Sequence, residues 1–524
     1  MPTMRPALPQ GLLDGFRTEP VPASDETLVI CTSAELAPLC ARLVEAGGEL
    51  ATMTGLDLRP SDGTFAVEFV FGLASAARFI RVRSPLPAEH PAYDAVTTLV
   101  PAAQWYEREA KDLLGIEPLG HPDPRRLVLH ESYPNAYHPL RKDVDAAVHP
   151  PMASRHFDYF EVHGEGVYEM GVGPIHAGVI EPGHFRFSNV GDLILYLDAR
   201  LFYTHRGVEK LVETKTFEEA AFIVERTCGA CTVSHATSFA TAVERLTQTS
   251  VPPRAEWLRT LLLELERLYN HVGDIGNICA GTGFHAGTMR GAALKEQLQA
   301  LNETLTGHRF MMGTVAPGGL RYDVEGAALR DAVTTLRTFA TQFEAYMDLI
   351  LDNSSFVRRI DGPGRLDALT ARALGATGVA ARASGVARDY RVDHPHLLYP
   401  DLAVKQQGGI AGDVGARFRL RAEEVRETLR LVGEILAGMP GGAISARLAQ
   451  AAPWASALGY TESPRGANVH WVMADAGGQV YRVRIRSASF ANWPVVPRAV
   501  AGNVVPDFPL INKSFELCYA CCDR

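Results

Sequence analysis

Four of the eight cysteines in this chain of 524 residues fall into two Cys-x-x-Cys pairs, Cys228 with Cys231 and Cys518 with Cys521. In a reducing cytosol such pairs are more often metal-binding or redox-active than structural bridges. Two pairs together suggest four thiolates gathered on one metal centre. Three centres compete: zinc is the common structural choice, an iron–sulfur cluster the common redox choice, and a nickel–iron centre is rare. Zinc ribbons and knuckles close short loops, whereas nearly three hundred residues separate these two pairs. That spacing suits a site buried between helices of a large domain, although on spacing alone zinc and iron–sulfur stay open. Read as helix, positions 228 and 231 share a face, so both thiols point one way. His235, four residues beyond Cys231, falls on the same side and can donate an N–H to a metal-bound sulfur; the plainer reading is a satisfied helix histidine. Cys31, Cys40 and Cys279 stand alone and read as buried small apolar residues.

The rest of the composition sets the class. Apolar residues make up 47% and charged residues 21%, the balance of a soluble globular protein. The length predicts two or more domains. A formal net charge of -9 without a long basic run argues against nucleic acid as a partner. No stretch reaches the roughly 18 continuous apolar residues of a membrane span. The N-terminal residues lack the basic region and apolar core of an export signal.

The elements that must position the thiols read as follows. Residues 1–27 are Pro-rich and aperiodic, a loose arm. Thr32 and Glu35 form a capping box that starts a helix running to about Glu45, where Gly47 and Gly48 stop it. Residues 64–71 and 79–83 are β-rich, with a hairpin at 72–77 between them, and a helical pattern covers 92–114. Together these predict a small domain over 28–145. Residues 146–156, with His149-Pro150-Pro151, form an extended linker, and 157–524 make the larger domain. There, 173–187 reads as an irregular β-ribbon, and 193–206 is ambiguous between helix and strand. Residues 216–227 form a helix with Glu218 and Glu219 in its first turn. An amphipathic helix over 257–278 and helical patterns over 287–350 and 416–436 follow, with 490–494 and 503–511 extended. The fold class is α+β: a small N-terminal α/β sandwich-like domain, then a large, mainly α-helical domain with a central long-helix bundle and peripheral β-ribbons.

Two stretches carry a resemblance. Trp105-Tyr106-Glu107-Arg108-Glu109-Ala110-Lys111-Asp112-Leu113-Leu114-Gly115, followed by His121-Pro122-Asp123-Pro124-Arg125-Arg126-Leu127, resembles the signature of the smaller of the two quinone-proximal peripheral subunits of respiratory complex I. In that family this is a docking and assembly piece with no cofactor, so it receives no catalytic residue. Arg226-Thr227-Cys228-Gly229-Ala230-Cys231 with His235 resembles the first cysteine motif of the large subunit of nickel–iron hydrogenases, and Cys518 to Cys521 the second. Between them, Ile180-Glu181-Pro182-Gly183-His184-Phe185-Arg186, Arg206-Gly207-Val208-Glu209, residues 383–395, Ser463-Pro464-Arg465-Gly466 with His470-Trp471, and Ala491-Asn492-Trp493-Pro494 match further family segments in order. The resemblance covers about 155–524. Fused to the complex-I-like portion, it is similar to the membrane-bound, energy-converting group of these enzymes.

The resemblance implies a reaction and a site. The four cysteines hold nickel, Cys228 and Cys518 as terminal ligands, with Cys231 and Cys521 bridging to iron in an Ni–Fe(CN)2(CO) centre installed by nickel-insertion maturation proteins. Hydrogen is split heterolytically and reversibly. Arg465 sits over the open face, where an always-charged guanidinium can polarise bound hydrogen. Glu181 passes protons outward. Glu209 resembles a buried acidic residue that in some relatives binds Mg or another divalent ion, and His176 aligns with a position lining the quinone cavity of the complex I relative. Electrons leave through a small partner subunit with a [4Fe–4S] cluster and ferredoxin-like electron-transfer subunits. Antiporter-like membrane subunits would hold the chain on the cytoplasmic face of the cell membrane. Formate, CO, ferredoxin or quinone completes the circuit, and complex I relatives add NAD- and quinone-linked chemistry to the list.

The chain departs from the pattern at three points. Relatives carry Asp-Pro before the second motif, and here Glu516-Leu517 frees that backbone. Cys522 is extra and could compete as a ligand. Relatives are commonly made with an extension removed just beyond a basic residue, and the sequence stops at Arg524, as in a processed chain or one made without a tail. Two other readings stand beside the first: a nickel-free complex I relative shaping a quinone site, and a non-catalytic, zinc-stapled assembly subunit.

Overall fold

A computed structural model describes residues 6–19, 21–23, 25–176 and 181–524. The N-terminal unit is built on a five-stranded sheet in the order Arg17–Glu19, Glu26–Ile30, Arg78–Leu86, Phe65–Leu73, Glu49–Asp57. The described part of the arm predicted over 1–27 thus supplies an edge strand; residues 1–5, 20 and 24 lie outside the described residues. The capping box at Thr32 and Glu35 starts the helix Ser33–Glu45 as predicted. The helix expected over 92–114 is shorter, Gln104–Leu114. A three-residue strand and a Pro-led turn precede it, and Gly115 at φ 69 closes it.

Phe65–Leu73 is buried along its whole length, which explains why it reads as an unbroken apolar run rather than an alternating one. Val67, Phe69 and Phe71 face the core shared with the helices. Ala66 and Val70 face the other way and pack with Phe79 against Leu458, Val469, Trp471 and Met473. Those partners belong to a three-stranded antiparallel sheet, Ser456–Ser463, Gly466–Ala474 and Val480–Arg486, which is buried throughout. The larger part of the chain therefore has a central sheet, where only peripheral ribbons were predicted.

The rest of the larger part is mainly helical. Its axis is Pro253–Gly281, flanked by His285–Thr306, Val414–Gly438 and Phe508–Phe515, with Gly326–Leu351 outside them. The axial helix is buried on nearly all sides rather than amphipathic, as expected for a helix enclosed by others. Val167–Val172, His184–Val190 and Leu193–Arg200 form a three-stranded ribbon, so the ambiguous 193–206 is strand as far as Arg200; of the ribbon predicted over 173–187 only 184–187 is strand, 173–176 and 181–183 are irregular, and 177–180 lie outside the described residues. The two segments predicted as extended are helical instead: Ala488–Asn492, Val496–Val500 and Phe508–Phe515, with single turns between. Ser487 caps the first of them, and Pro494, Pro497, Pro506 and Pro509 sit in first turns, where a missing N–H costs nothing.

Candidate metal centre

The first thiol pair does not lie on a helix face, as its spacing predicted. Cys228 is extended, at φ -158 and ψ 139, and Cys231 is the residue from which the helix Thr232–Thr247 starts. The axial helix holds this loop from one side. Tyr269 donates its hydroxyl to the Gly229 carbonyl at 3.2 Å, and Asn270 donates its amide to the Ala230 carbonyl at 2.8 Å. Glu266 accepts the free N–H groups of Val233 and Ser234 at 2.6 and 3.1 Å and also the Ser234 hydroxyl. A carboxyl from a neighbouring helix thus does what a local cap normally does. Burial pushes that carboxyl up to about 8.

The second pair follows Phe508–Phe515, whose last turn closes at Glu516 with φ 53. Cys518 then caps the short helix Tyr519–Asp523 with its own sulfur. Several contacts seat this tail. Asp523 accepts the N–H groups of Phe202 and Thr204 at 3.0 Å each and the Thr204 hydroxyl at 2.8 Å. Cys518 donates its N–H to Ser489 at 3.0 Å, and Ser487 donates to the Cys521 carbonyl at 2.8 Å. Arg206 joins the two cysteine segments, donating to the Thr227 carbonyl at 2.8 Å and the Ala520 carbonyl at 3.0 Å.

The sulfurs converge. Cys228 and Cys518 stand 3.1 Å apart, and with Cys521 they lie within 4.8 Å of one another. Cys231 packs into the same cluster against Cys228 and Cys521. Metal–sulfur bonds of about 2.3 Å set sulfurs on one ion up to about 4.6 Å apart; the Cys228–Cys518 separation lies inside that span, and four converging thiols are the donor type a thiophilic metal takes. Hydrogen bonds from Cys231, Cys518 and Cys521 hold the Cys228 thiol well below its ordinary range. Cys518 and Cys521 are raised, Cys518 chiefly by its bond to Cys228 and Cys521 chiefly by burial. A soft cation bound here would displace the thiol protons. Among the described residues this is the one such cluster of potential ligands. Cys522 does not join it: its thiol is fully buried in the main apolar core.

Of the other residues singled out by sequence, three meet this cluster. His235 brings Nε2 to 3.3 Å from the Cys521 sulfur. Burial pushes its pKa down to about 4, so the ring is neutral. Its Nδ1 lies 3.0 Å from His470 Nε2 and 3.3 Å from the Asn468 amide. If both neighbours donate to Nδ1, the proton of His235 sits on Nε2, aimed at sulfur. Arg465 lies in the two-residue turn between the first two strands of the central sheet. It grips Asp274 through two bonds of 3.0 Å and donates Nε to the Glu516 carbonyl at 2.7 Å. Burial would raise Asp274, but Arg465, His271 and Arg421 hold it well below the usual range. A Cβ on Gly378 would come within 2.3 Å of the Arg465 carbonyl, so that position accepts only glycine. Glu181 accepts the Ala520 N–H at 2.7 Å, between the two cysteines of the second pair.

Two singled-out residues lie apart from the sulfurs. His176 meets the Gly183 carbonyl at 2.8 Å, in the loop over Tyr519. Glu209 is buried among Arg482, Arg484 and Arg524. Sequence reasoning missed Glu266, Asn270 and Asp274, which recur every fourth position along an apolar helix, a helical-period signal in plain sight.

Comparison with known proteins bears on this geometry. Residues 29–150 match the family described as respiratory-chain NADH dehydrogenase, 30 Kd subunit, and residues 281–456 and 449–524 match its 49 Kd counterpart. Residues 206–274 match the nickel-dependent hydrogenase family. The chain is 38% identical to formate hydrogenlyase subunit 5 of Escherichia coli K12, over 91% of this chain and 85% of the relative. It is 33% identical to hydrogenase-4 component G of the same organism, over 99% and 91%. Among solved structures, a chain of the membrane-bound sulfane sulfur reductase, an archaeal respiratory membrane complex, superposes with a TM-score of 0.65 at 29% identity, over 69% of this chain and 99% of that one. The chain belongs to the hydrogenase family that includes formate hydrogenlyase subunit 5 and hydrogenase-4 component G, in which regions akin to the two respiratory-chain subunits are fused.

Proposed function

We propose that this chain is the catalytic subunit of a membrane-associated nickel–iron hydrogenase complex that interconverts hydrogen with protons and electrons. The observation that carries the reading is the convergence of two cysteine pairs, 290 residues apart at Cys228 and Cys518, with His235 on one of the sulfurs. Cys228 and Cys518 would hold nickel, and Cys231 and Cys521 both metals. When bound, the Ni–Fe(CN)2(CO) centre supplies the site of hydrogen cleavage.

The chain's own residues do the rest. Arg465, fixed by Asp274, presents a permanent positive charge within electrostatic reach of Cys231 and Cys228. Glu181, bonded to the backbone between Cys518 and Cys521, stands where a proton leaving that side of the centre can be taken up. The His235 N–H holds one lone pair of the Cys521 sulfur and so fixes its orientation. Residues 28–145 serve as the docking unit and 157–524 as the catalytic unit, with His176 in the loop outside the tail. Among the described residues no helix is long and apolar enough to cross a membrane, and on this reading partner subunits make the membrane contact on the cytoplasmic side. On this reading electrons pass to a small subunit with an iron–sulfur cluster; Cys31, Cys40, Cys279 and Cys522 are all buried.

Protein purified from nickel-replete cells should contain nickel and iron and show infrared bands of metal-bound CO and cyanide. Zinc alone, without those bands, rejects the reading. Quinone-dependent activity that survives Cys228→Ser would favour a nickel-free complex I relative instead.

A further inference from the structure

The hydrogenase reading brings the expectation of a divalent ion at Glu209, and the residues there do not fit one. Its Oε1 accepts from Arg524 at 3.0 Å, from Arg484 at 3.2 Å and from the Ile485 N–H at 2.9 Å, and its Oε2 accepts from Arg482 at 2.6 Å. Four donors, three of them guanidinium N–H groups, already contact this carboxylate. Glu109, on the helix Gln104–Leu114 of the N-terminal unit, completes the cage by bonding Arg524 at 2.9 Å and Arg484 at 2.5 Å. Two carboxylates thus face three guanidiniums, and positive charge is already in excess. Arg482 Nε and Arg484 Nη2 are buried donors left without an acceptor. The flanking cavities measure about 10 and 30 Å³, room for a water but not for an octahedral ion that keeps several waters.

We propose that the guanidinium of Arg524 replaces the divalent cation, and that it latches the cysteine-bearing tail to both units at once. Arg524 lies three residues beyond Cys521 and ties Glu209 in the catalytic unit to Glu109 in the N-terminal unit. Seating the second thiol pair and securing the helix Gln104–Leu114 then become one event. A planar fork with several donors reaches both carboxylates at once.

The proposal takes only the expected ion from the hydrogenase reading, and its test stands apart from it. The whole chain is washed with EDTA, assayed for metals, and followed by amide hydrogen exchange. The expected result is no stoichiometric Mg, Mn or Ca and unchanged protection of Tyr519–Asp523 before and after the wash. Arg524→Met should lower protection of Tyr519–Asp523 and of Gln104–Leu114 together by about ten- to a hundredfold, the scale of losing charged hydrogen bonds from a buried cage, and Arg524→Lys should recover part of it. A stoichiometric Mg, Mn or Ca ion whose removal exposes the tail overturns the proposal. So does Arg524→Met with Gln104–Leu114 as protected as in the parent. If Arg524→Met does not accumulate, Glu109→Gln must expose the tail, and a fully protected tail in that variant is again a refutation. A chain carrying zinc at its four cysteines would fail the hydrogenase reading and still show the latch.

Discussion

The Nε2 of His235 stands 3.3 Å from the sulfur of Cys521, and its Nδ1 stands 3.0 Å from His470. The ring is therefore braced from behind while it faces the cluster. Replacing His235 by Phe should lower nickel retention or turnover about 10- to 100-fold, the usual effect of removing a group that orients a metal ligand. Elemental analysis and hydrogen-uptake assays on the same preparation check this, and His235→Gln should keep more of both.

Arg465 and Asp274 meet through two parallel bonds of 3.0 Å. Lysine keeps the charge at position 465 but cannot form both bonds. Arg465→Lys should therefore retain full nickel and iron while hydrogen turnover and hydrogen–deuterium exchange fall about 100-fold, the scale of removing one fixed electrostatic contact from an active site. Normal exchange in a metal-replete Arg465→Lys protein would remove Arg465 from the reacting face.

Adjacent cysteines should behave oppositely. Cys521→Ala removes a sulfur from the cluster and should abolish nickel binding. Cys522, fully buried against apolar neighbours, should tolerate Ala with unchanged metal content, at a cost of about 1 kcal/mol of stability for lost packing. Urea unfolding and metal analysis of the two variants separate the effects.

The seam between the two units should loosen in acid. Trp471 donates its indole N–H to Glu68 at 2.8 Å, and Arg81 bonds the same carboxylate at 2.7 Å. Burial alone would raise Glu68, but Arg81 and Arg83 outweigh it and hold its pKa at about 2. A folded-state pKa below the unfolded value stabilises fully above about pH 4.5, and the gain is lost as pH falls towards about 2. Its size is about 3 kcal/mol at most. Fluorescence-monitored unfolding between pH 6 and pH 2 (values chosen as roughly bracketing a carboxylate titration) should show this loss, and Glu68→Gln should flatten the slope through that window.

Local chemistry was legible in the sequence, and long-range packing was not. The capping box at Thr32 and Glu35, the break at Gly47, and the helix Val414–Gly438 follow from residues within one turn of each other. The tail helices were hidden, because Val495, Val496, Val504 and Val505 carry strand preference while the prolines that permit the first turns also read as breakers. The central sheet was missed although Val480-Tyr481-Arg482-Val483-Arg484-Ile485-Arg486 alternates cleanly. Buried arginines at every second position look like a solvent-facing side until Glu109 and Glu209 are placed opposite them. The thiol cluster was foreseeable from family motifs. Its supports Glu266, Asn270 and Asp274 carried a local signal, their four-residue spacing along one helix, but the partners that reveal their role stand tens to hundreds of residues away.

Tyr269 and Asn270 grip the first cysteine loop from only about 40 residues downstream, whereas Cys518 joins Cys228 across 290. A ribosome adding about 5–20 residues per second therefore leaves a nascent chain with two sulfurs and no counterpart for roughly 15 to 60 s. An ion met in that interval finds at most two of the four sulfurs, so the complete donor set exists only after synthesis has reached Cys521.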